Sequence, residues 1–177
     1  MPHSGPVTLL GQAASTLHRV PEGPGYSLLL VLHVAFAVVG FGILATTGVQ
    51  ALRARRGPGQ AGADGLRRYF RPGVNWAGRT LYLVPVLGFG LLADSSGAFD
   101  AADAWVIAGL ALWVTSAVLA ELLVWPGERR LQRIVSERWA DPGARQALEQ
   151  QCTRVAVTSA VLTGLFVAAV AVMVAKP

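Results

Sequence analysis

The feature that most constrains this chain is an uncharged apolar run from Tyr26 to Leu52. The run is longer than the roughly 20 residues that a helix needs to cross a hydrocarbon core of about 30 Å. Lipid offers no hydrogen-bond partners, so each backbone N–H and C=O must be satisfied within the segment, and a helix does this. A basic segment, Arg53 to Arg56, follows directly. The chain is therefore predicted to be a membrane protein.

Three further apolar runs predict three further spans. The second run contains Pro85, which should kink its helix, and the third contains one charged residue, Glu121. The sequence thus predicts an all-α fold, a four-helix transmembrane bundle formed by one domain of residues 26–177. A flexible extracytoplasmic tail of residues 1–25 is expected before it. The predicted spans are residues 26–52, 76–93, 104–125 and 153–175.

The segment between spans three and four has a different pattern. Leu131, Ile134 and Val135 recur at helical spacing among Arg residues. This pattern predicts a cytoplasmic amphipathic helix that is solvated on one side. Pro126-Gly127 is expected to end span three before that helix begins.

The distribution of basic residues predicts the orientation. Six Arg residues lie between spans one and two, with Arg79 at the start of span two, and five lie between spans three and four, with Arg154 at the start of span four, whereas the opposite side has only Arg19 and Lys176. Since short cytoplasmic loops carry the Lys and Arg excess, both termini should lie outside the cytoplasm. Basic content that is almost entirely Arg is typical of GC-rich bacterial genomes, so the predicted location is the bacterial inner membrane. The Arg residues flank spans rather than forming a stripe, which favours the lipid bilayer, and not nucleic acid, as partner.

Aromatic and Arg side chains near the span ends are predicted to anchor the protein at the membrane interface. Tyr and Trp rings favour headgroup depth, and Arg heads reach the phosphates. The predicted anchors are Arg67, Arg68, Tyr69, Arg71, Trp76, Trp105 and Trp125.

Three ionisable residues are expected near the cytoplasmic ends of the spans. Glu121 lies about one turn before Trp125, while Arg79 and Arg154 begin spans two and four. One interpretation is a proton or ion relay, because intramembrane carboxylates often mark pathways. The favoured interpretation is a structural ion pair of Glu121 with Arg79 or Arg154. A relay would need more acids at mid-depth, and the sequence has none.

His33 lies about two turns inside the outer end of span one. Its imidazole could bind haem iron or a metal, or move protons. Haem held by two His would need a second His within a span, but His3 and His18 both lie in the tail. No cofactor and no metal are therefore predicted. The simpler expectation is a hydrogen bond to a neighbouring helix, with Asp94 or a Ser or Thr hydroxyl as partner.

Small residues at four-residue spacing predict close helix packing, because they let backbones approach one another. No Walker A, HExxH, GxSxG or CxxC motif is present, so no enzymatic activity is predicted. The residues expected to serve packing are Gly40, Gly88, Ala160, Gly164 and Ala168.

Three apolar motifs carry a resemblance to a known family. Span one begins Leu-Leu-Leu-Val-Leu-His-Val, span two reads Leu-Val-Pro-Val-Leu-Gly-Phe-Gly-Leu, and the chain ends Val-Met-Val-Ala-Lys-Pro. From Tyr26 to Pro177 the chain resembles an uncharacterised family of bacterial four-span membrane proteins that share a domain of unknown function. The resemblance implies the four-span fold, including His33, and no reaction.

Small size, missing catalytic motifs and surplus small-residue faces favour a non-catalytic protein that works by association with other integral membrane proteins. An accessory or scaffolding subunit of an inner-membrane complex is the first hypothesis, with a respiratory assembly as the first candidate. Two alternatives stay open. One is a small transporter or sensor in which Glu121 and His33 titrate, and the other is a haem-binding redox protein that uses His33.

Overall fold

The computed structural model describes residues 23–56, 67–137 and 143–175, and the segments outside these ranges include nearly all of the predicted tail. Four helical segments in the described chain are long and apolar enough to cross a membrane, which confirms the predicted number of spans. Span one is α1, Pro24–Arg55. Span two comprises α2, Trp76–Arg79, a 3₁₀ turn, Thr80–Tyr82, and α3, Leu83–Asp94. Span three comprises α4, Ala104–Leu119, a π-helical turn, Ala120–Val124, and α5, Trp125–Glu137. Span four is α6, Ala144–Ala175.

The two ends of the bundle differ in charge. We call the end that holds Arg55, Arg79 and Arg130 the basic end, and the end that holds Asp94 and Asp103 the acidic end. Span one packs along span four, span two packs on span one, and span three packs on span four. Spans two and three have few close backbone contacts with each other. The order around the bundle is therefore two, one, four, three, with a seam between two and three.

Two prolines inside the spans each follow a turn that is not α-helical. The 3₁₀ turn Thr80–Tyr82 lies just before Pro85, and the π-helical turn Ala120–Val124 lies just before Pro126. Proline lacks an N–H and its ring crowds the carbonyl four residues earlier, so the helix changes its winding there. Span three therefore continues as a helix to Glu137. The expectation that Pro126-Gly127 ends it is wrong.

Buried apolar side chains form two clusters. One lies at the basic end and contains Phe70, Leu131 and Val155, and the other lies near mid-bundle around Leu81 and Leu162. Span one approaches its neighbours most closely at glycines. A Cβ on Gly40 would lie 2.9 Å from the backbone nitrogen of Leu81, and one on Gly48 would lie 2.5 Å from Cβ of Ser159. Small residues in span one thus permit backbone contact with spans two and four.

Candidate functional site

A polar cluster bridges spans two and three near the basic end. Glu121 accepts hydrogen bonds from Arg79 Nη1 at 3.0 Å and from the Tyr82 hydroxyl at 2.5 Å. The Arg79 guanidinium also lies 3.6 Å above the ring centre of Trp125, which is a cation–π contact. The sequence left two candidate partners for Glu121, and in the structure the ion pair forms with Arg79. Arg154 is exposed and forms no ion pair with Glu121 within the described segments.

Glu128 belongs to the same cluster, and sequence reasoning missed it. The residue is 6% exposed, on a helix that was expected to be solvated on one side. Its carboxylate accepts a hydrogen bond from Asn75 and interacts with Arg129 and Arg79. Glu121, Trp125 and Glu128 have i, i+4, i+7 spacing, so they share one face of span three. That spacing is the signal that could have placed Glu128 beside Arg79.

The ion pair in this cluster is only partly enclosed by protein. The Arg79 and Glu121 side chains are 25% and 44% exposed, so solvent screens their attraction and the pair itself contributes modestly. Between Glu121 and Asp94, at the acidic end of span two, the described parts of the spans contain no further Asp or Glu. What the cluster does structurally is to join two spans whose backbones have few close contacts.

Trp113 makes a second bridge between spans two and three. Its Nε1–H donates to the Leu81 carbonyl oxygen at 3.0 Å. Leu81 lies four residues before Pro85, which has no N–H to offer that carbonyl. The indole of span three thus supplies a hydrogen bond that the backbone of span two lacks.

His33 is buried and its imidazole faces span two. Nδ1 lies 2.9 Å from the Val84 carbonyl oxygen, so the partner is a backbone carbonyl rather than Asp94 or a hydroxyl. A carbonyl only accepts, which places the proton of the neutral ring on Nδ1 and leaves a lone pair on Nε2. Gly88 makes room for the ring, since a Cβ there would lie 3.3 Å from His33 Cε1.

A cavity of about 180 Å³ lies beside His33 in the seam between spans two and three. Its walls are almost entirely apolar, and Met173 of span four also contributes to them. Leu30, Phe89 and Leu110 at its rim are each more than a third exposed, so the cavity opens sideways toward the lipid. The aromatic residues that line it are Tyr26, Phe89, Phe99, Trp105 and Trp113.

His33 Nε2 is the unused polar atom of this cavity. No hydrogen bond reaches it from residues 23–56, 67–137 or 143–175. In those ranges the one sealed side-chain polar atom without a partner is Ser159 Oγ, at the contact with Gly48. His33 lines the cavity and Nε2 is not among the sealed atoms, so this nitrogen can accept a hydrogen bond or bind a metal ion. The described residues contain no cluster of three or more His, Cys, Asp or Glu side chains that could complete a metal site.

The predicted packing residues divide into two groups. Gly40 and Gly88 face neighbouring spans inside the bundle. Ala160, Gly164 and Ala168 are exposed, and a Cβ on Gly164 would meet nothing within 4 Å. The expectation that these three serve packing inside the chain does not hold, because span four turns its opposite face to spans one and three.

The predicted interface anchors also divide. Trp76 is 76% exposed, Arg67, Arg68 and Arg71 are exposed, and Trp105 is half-buried beside Phe99. Trp125 is 3% exposed, which contradicts its prediction as an anchor: Arg79 and Tyr82 cover its ring inside the bundle.

Tyr69 is half-buried at the basic end instead of extending fully to the headgroups. Its hydroxyl lies 2.7 Å from Thr47 Oγ1, which itself donates to the Ile43 carbonyl, so Tyr69 is the donor. Burial, and to a smaller extent the Glu128 carboxylate, raise the pKa of Tyr69 above its usual value of 10. The hydroxyl therefore helps to hold the loop between spans one and two against span one.

Comparison with curated proteins and with solved structures gives no match. Residues 27–177 match the protein family described as "Predicted integral membrane protein (DUF2269)". The matched range covers all four spans, the Arg79–Glu121 pair and His33. The chain therefore belongs to this family of integral membrane proteins.

Proposed function

We propose that this chain is a non-catalytic accessory or scaffolding subunit of a larger complex in the bacterial inner membrane. The observation that carries the proposal is the outward-facing row of Ala160, Gly164 and Ala168, which we call the small-residue row. A row of this kind lets the backbone of a second helix approach closely, and close packing is a main source of helix association in lipid.

The use of small residues elsewhere in the chain supports this interpretation. Gly40, Gly48 and Gly127 each lie where an added Cβ would come within 3.0 Å of a neighbouring span. Helix contacts within the bundle thus already use small residues, whereas the small-residue row is exposed and a Cβ on Gly164 would meet nothing within 4 Å. A helix of a partner protein fits a row at this spacing better than flexible lipid chains do. The small size of the chain and its lack of catalytic motifs make a respiratory assembly the first candidate host.

The proposal is tested by mild-detergent capture of the full chain from its native membrane, followed by mass spectrometry and absorption spectroscopy. Gly164→Ile introduces a branched side chain into open space, so the fold should persist while a docked helix is pushed away. Gly42→Ile is the matched control, because Gly42 is also exposed with nothing within 4 Å of its Cβ.

We expect respiratory subunits to co-elute in constant ratio with the wild type and with Gly42→Ile. Gly164→Ile should reduce their recovery at least tenfold, which corresponds to a loss of about 1.4 kcal/mol. Capture of the chain alone, or equal loss of partners in both variants, would overturn the proposal. Co-elution of integral membrane proteins from another complex would retain the scaffolding role and overturn the respiratory host.

We also infer that the basic end lies in the cytoplasm, because Arg residues dominate the loops there. Ser136→Cys places a thiol at the basic end and Ser96→Cys places one at the acidic end, both at exposed positions. Native Cys152 is buried and should stay unlabelled. A membrane-impermeant maleimide should label Ser96→Cys in intact cells, and Ser136→Cys after permeabilisation only. The reverse pattern would overturn the orientation.

A further inference from the structure

We propose that the cavity beside His33 binds the head group of a lipid-soluble hydroquinone, a single ring with phenolic hydroxyls and an apolar tail. The chain builds this cavity by itself, so the inference goes beyond the proposed function and does not depend on a partner. Four observations support it: the volume of the cavity, its walls, its opening, and the state of the His33 imidazole.

The volume fits one ring. The cavity measures about 180 Å³. An engineered apolar cavity of about 150 Å³ in another protein holds benzene, so the space here suits a single substituted ring and excludes a fused polycyclic head group. Drug-sized ligands generally occupy about 300 Å³ or more.

The walls favour an aromatic ring. Phe99, Trp105 and Trp113 lie on the span-three side, and Pro85 and Gly88 lie on the span-two side. Aromatic pairs in stacked or edge-to-face contact gain about 0.5–1.5 kcal/mol beyond the effect of burial alone. No Arg, Lys, Asp or Glu is among the described lining residues, so the head group should be uncharged.

The opening fits a tail. Spans two and three are bridged at Leu81 and Glu121, but toward the acidic end their backbones have few close contacts. Phe89 and Leu110 flank the gap and are 50% and 37% exposed. A tail can therefore pass between these residues into the bilayer while the ring stays in the cavity.

The imidazole selects the reduced ring. His33 Nδ1–H is directed to the Val84 carbonyl, and Nε2 has a lone pair without a partner in the described chain. A hydroquinone hydroxyl can donate to that lone pair. A quinone carbonyl has no proton to donate, and a hydrocarbon chain would leave Nε2 without a hydrogen bond in an apolar setting.

The test is a ligand titration of the purified full chain, followed by native mass spectrometry in a mild detergent. The probes are 2-decylhydroquinone, its dimethyl ether and 2-decyl-1,4-benzoquinone, which share the ring and the tail. We expect the hydroquinone to bind about tenfold more tightly than either of the other probes, the difference that one hydrogen bond to a buried acceptor makes. His33→Phe should bind the ether with little change in affinity, and it should bind the hydroquinone about as tightly as the ether.

A second pair of variants keeps the test decisive if His33→Phe does not fold. Val106 lines the cavity, whereas Val118 on the same helix does not and is 49% exposed. Val106→Trp should fill the cavity and weaken hydroquinone binding at least tenfold, and Val118→Trp should leave it unchanged. Equal affinity for hydroquinone and ether in the wild type, a preference that persists in His33→Phe, or equal effects of the two Trp variants would overturn the proposal.

Discussion

The seam between spans two and three is filled at one end of the bundle and open at the other. At the basic end, side chains fill it: Arg79 and Tyr82 reach Glu121, and Arg79 covers Trp125. At the acidic end the seam stays open and forms the cavity beside His33. The same two spans are thus joined at one end and separated at the other.

Burial follows the same division. Fully buried apolar side chains concentrate at the basic end and near mid-bundle, with Phe70, Leu131 and Val155 as members. In α3, Val84 is the one buried residue, and Phe89 and Val86 are exposed. The difference teaches that the basic end carries the stability of the bundle. The acidic end has few packing contacts to lose and can therefore hold an open binding site.

The most direct test of this difference in stability is to truncate one Leu at each end of the bundle. Leu131 is fully buried at the basic end, so Leu131→Ala should lower the free energy of unfolding by about 2–5 kcal/mol. Leu110 lies at the rim of an existing cavity, and Leu110→Ala should lower it by less than about 1 kcal/mol because few contacts are lost. Denaturant unfolding in mixed micelles measures both values. Equal losses would contradict a division of stability between the ends.

The polar bridge at the basic end gives the next largest effect. Arg79→Gln removes one of the two cations that interact with buried Glu128, the other being Arg129, and removes a donor to Glu121, so we expect a loss of about 1–3 kcal/mol. Glu121→Gln should lower stability by less than about 1 kcal/mol, because Glu121 is 44% exposed. The same unfolding measurement ranks the two variants, and a reversed order would contradict the central place of Arg79.

Glu121→Gln also addresses the transporter or sensor alternative. If Glu121 carried protons, the variant would abolish proton-coupled flux in liposomes while the fold persisted. Under the scaffolding proposal, wild type and variant should dissipate an imposed pH gradient equally slowly.

The Trp113 bridge marks the boundary between the filled and the open parts of the seam. Trp113→Phe removes the donor to the carbonyl of fully buried Leu81, and we expect a loss of about 1–2 kcal/mol. Pro85→Ala restores a backbone N–H four residues beyond Leu81, so Trp113→Phe should have a smaller effect in that background. A double-mutant cycle should therefore give a coupling of about 1 kcal/mol. Additive losses would show that the indole does not compensate for Pro85.

Apolar run length was enough to predict the spans, because lipid leaves a helix as the way to satisfy the backbone. The ends of the helices were harder to predict. Pro126-Gly127 is a strong local break, but the π-helical turn before it lets span three continue. Local propensity could not show this, since the accommodation depends on the packing of Trp125 and Glu128 against span two.

The sequence was enough to predict which polar residues lie near one another, but not which of them form hydrogen bonds or ion pairs. Arg79 and Glu121 were both expected near the same membrane side, and the prediction that they could pair is correct. The expected depth did not distinguish Arg79 from Arg154 as the partner of Glu121. His33 was expected to bond a side chain and instead faces the Val84 carbonyl. Trp125 was read as an anchor from its position at a span end, whereas its orientation toward span two buries it. Each difference arises from rotation of a helix about its axis, which hydropathy does not report.

The smallest predicted effect concerns how the loop is held at the basic end. Tyr69→Phe removes the hydrogen bond to Thr47 and should lower the free energy of unfolding by about 0.5–1.5 kcal/mol at pH 7. Because burial raises the pKa of Tyr69 above 10 in the folded state, the neutral phenol stabilises the fold below pH 10. This contribution is lost as the pH rises through the folded-state pKa. The difference between wild type and variant should therefore shrink as the pH rises above 10, and a constant difference would show that Tyr69 is not held as a buried neutral donor.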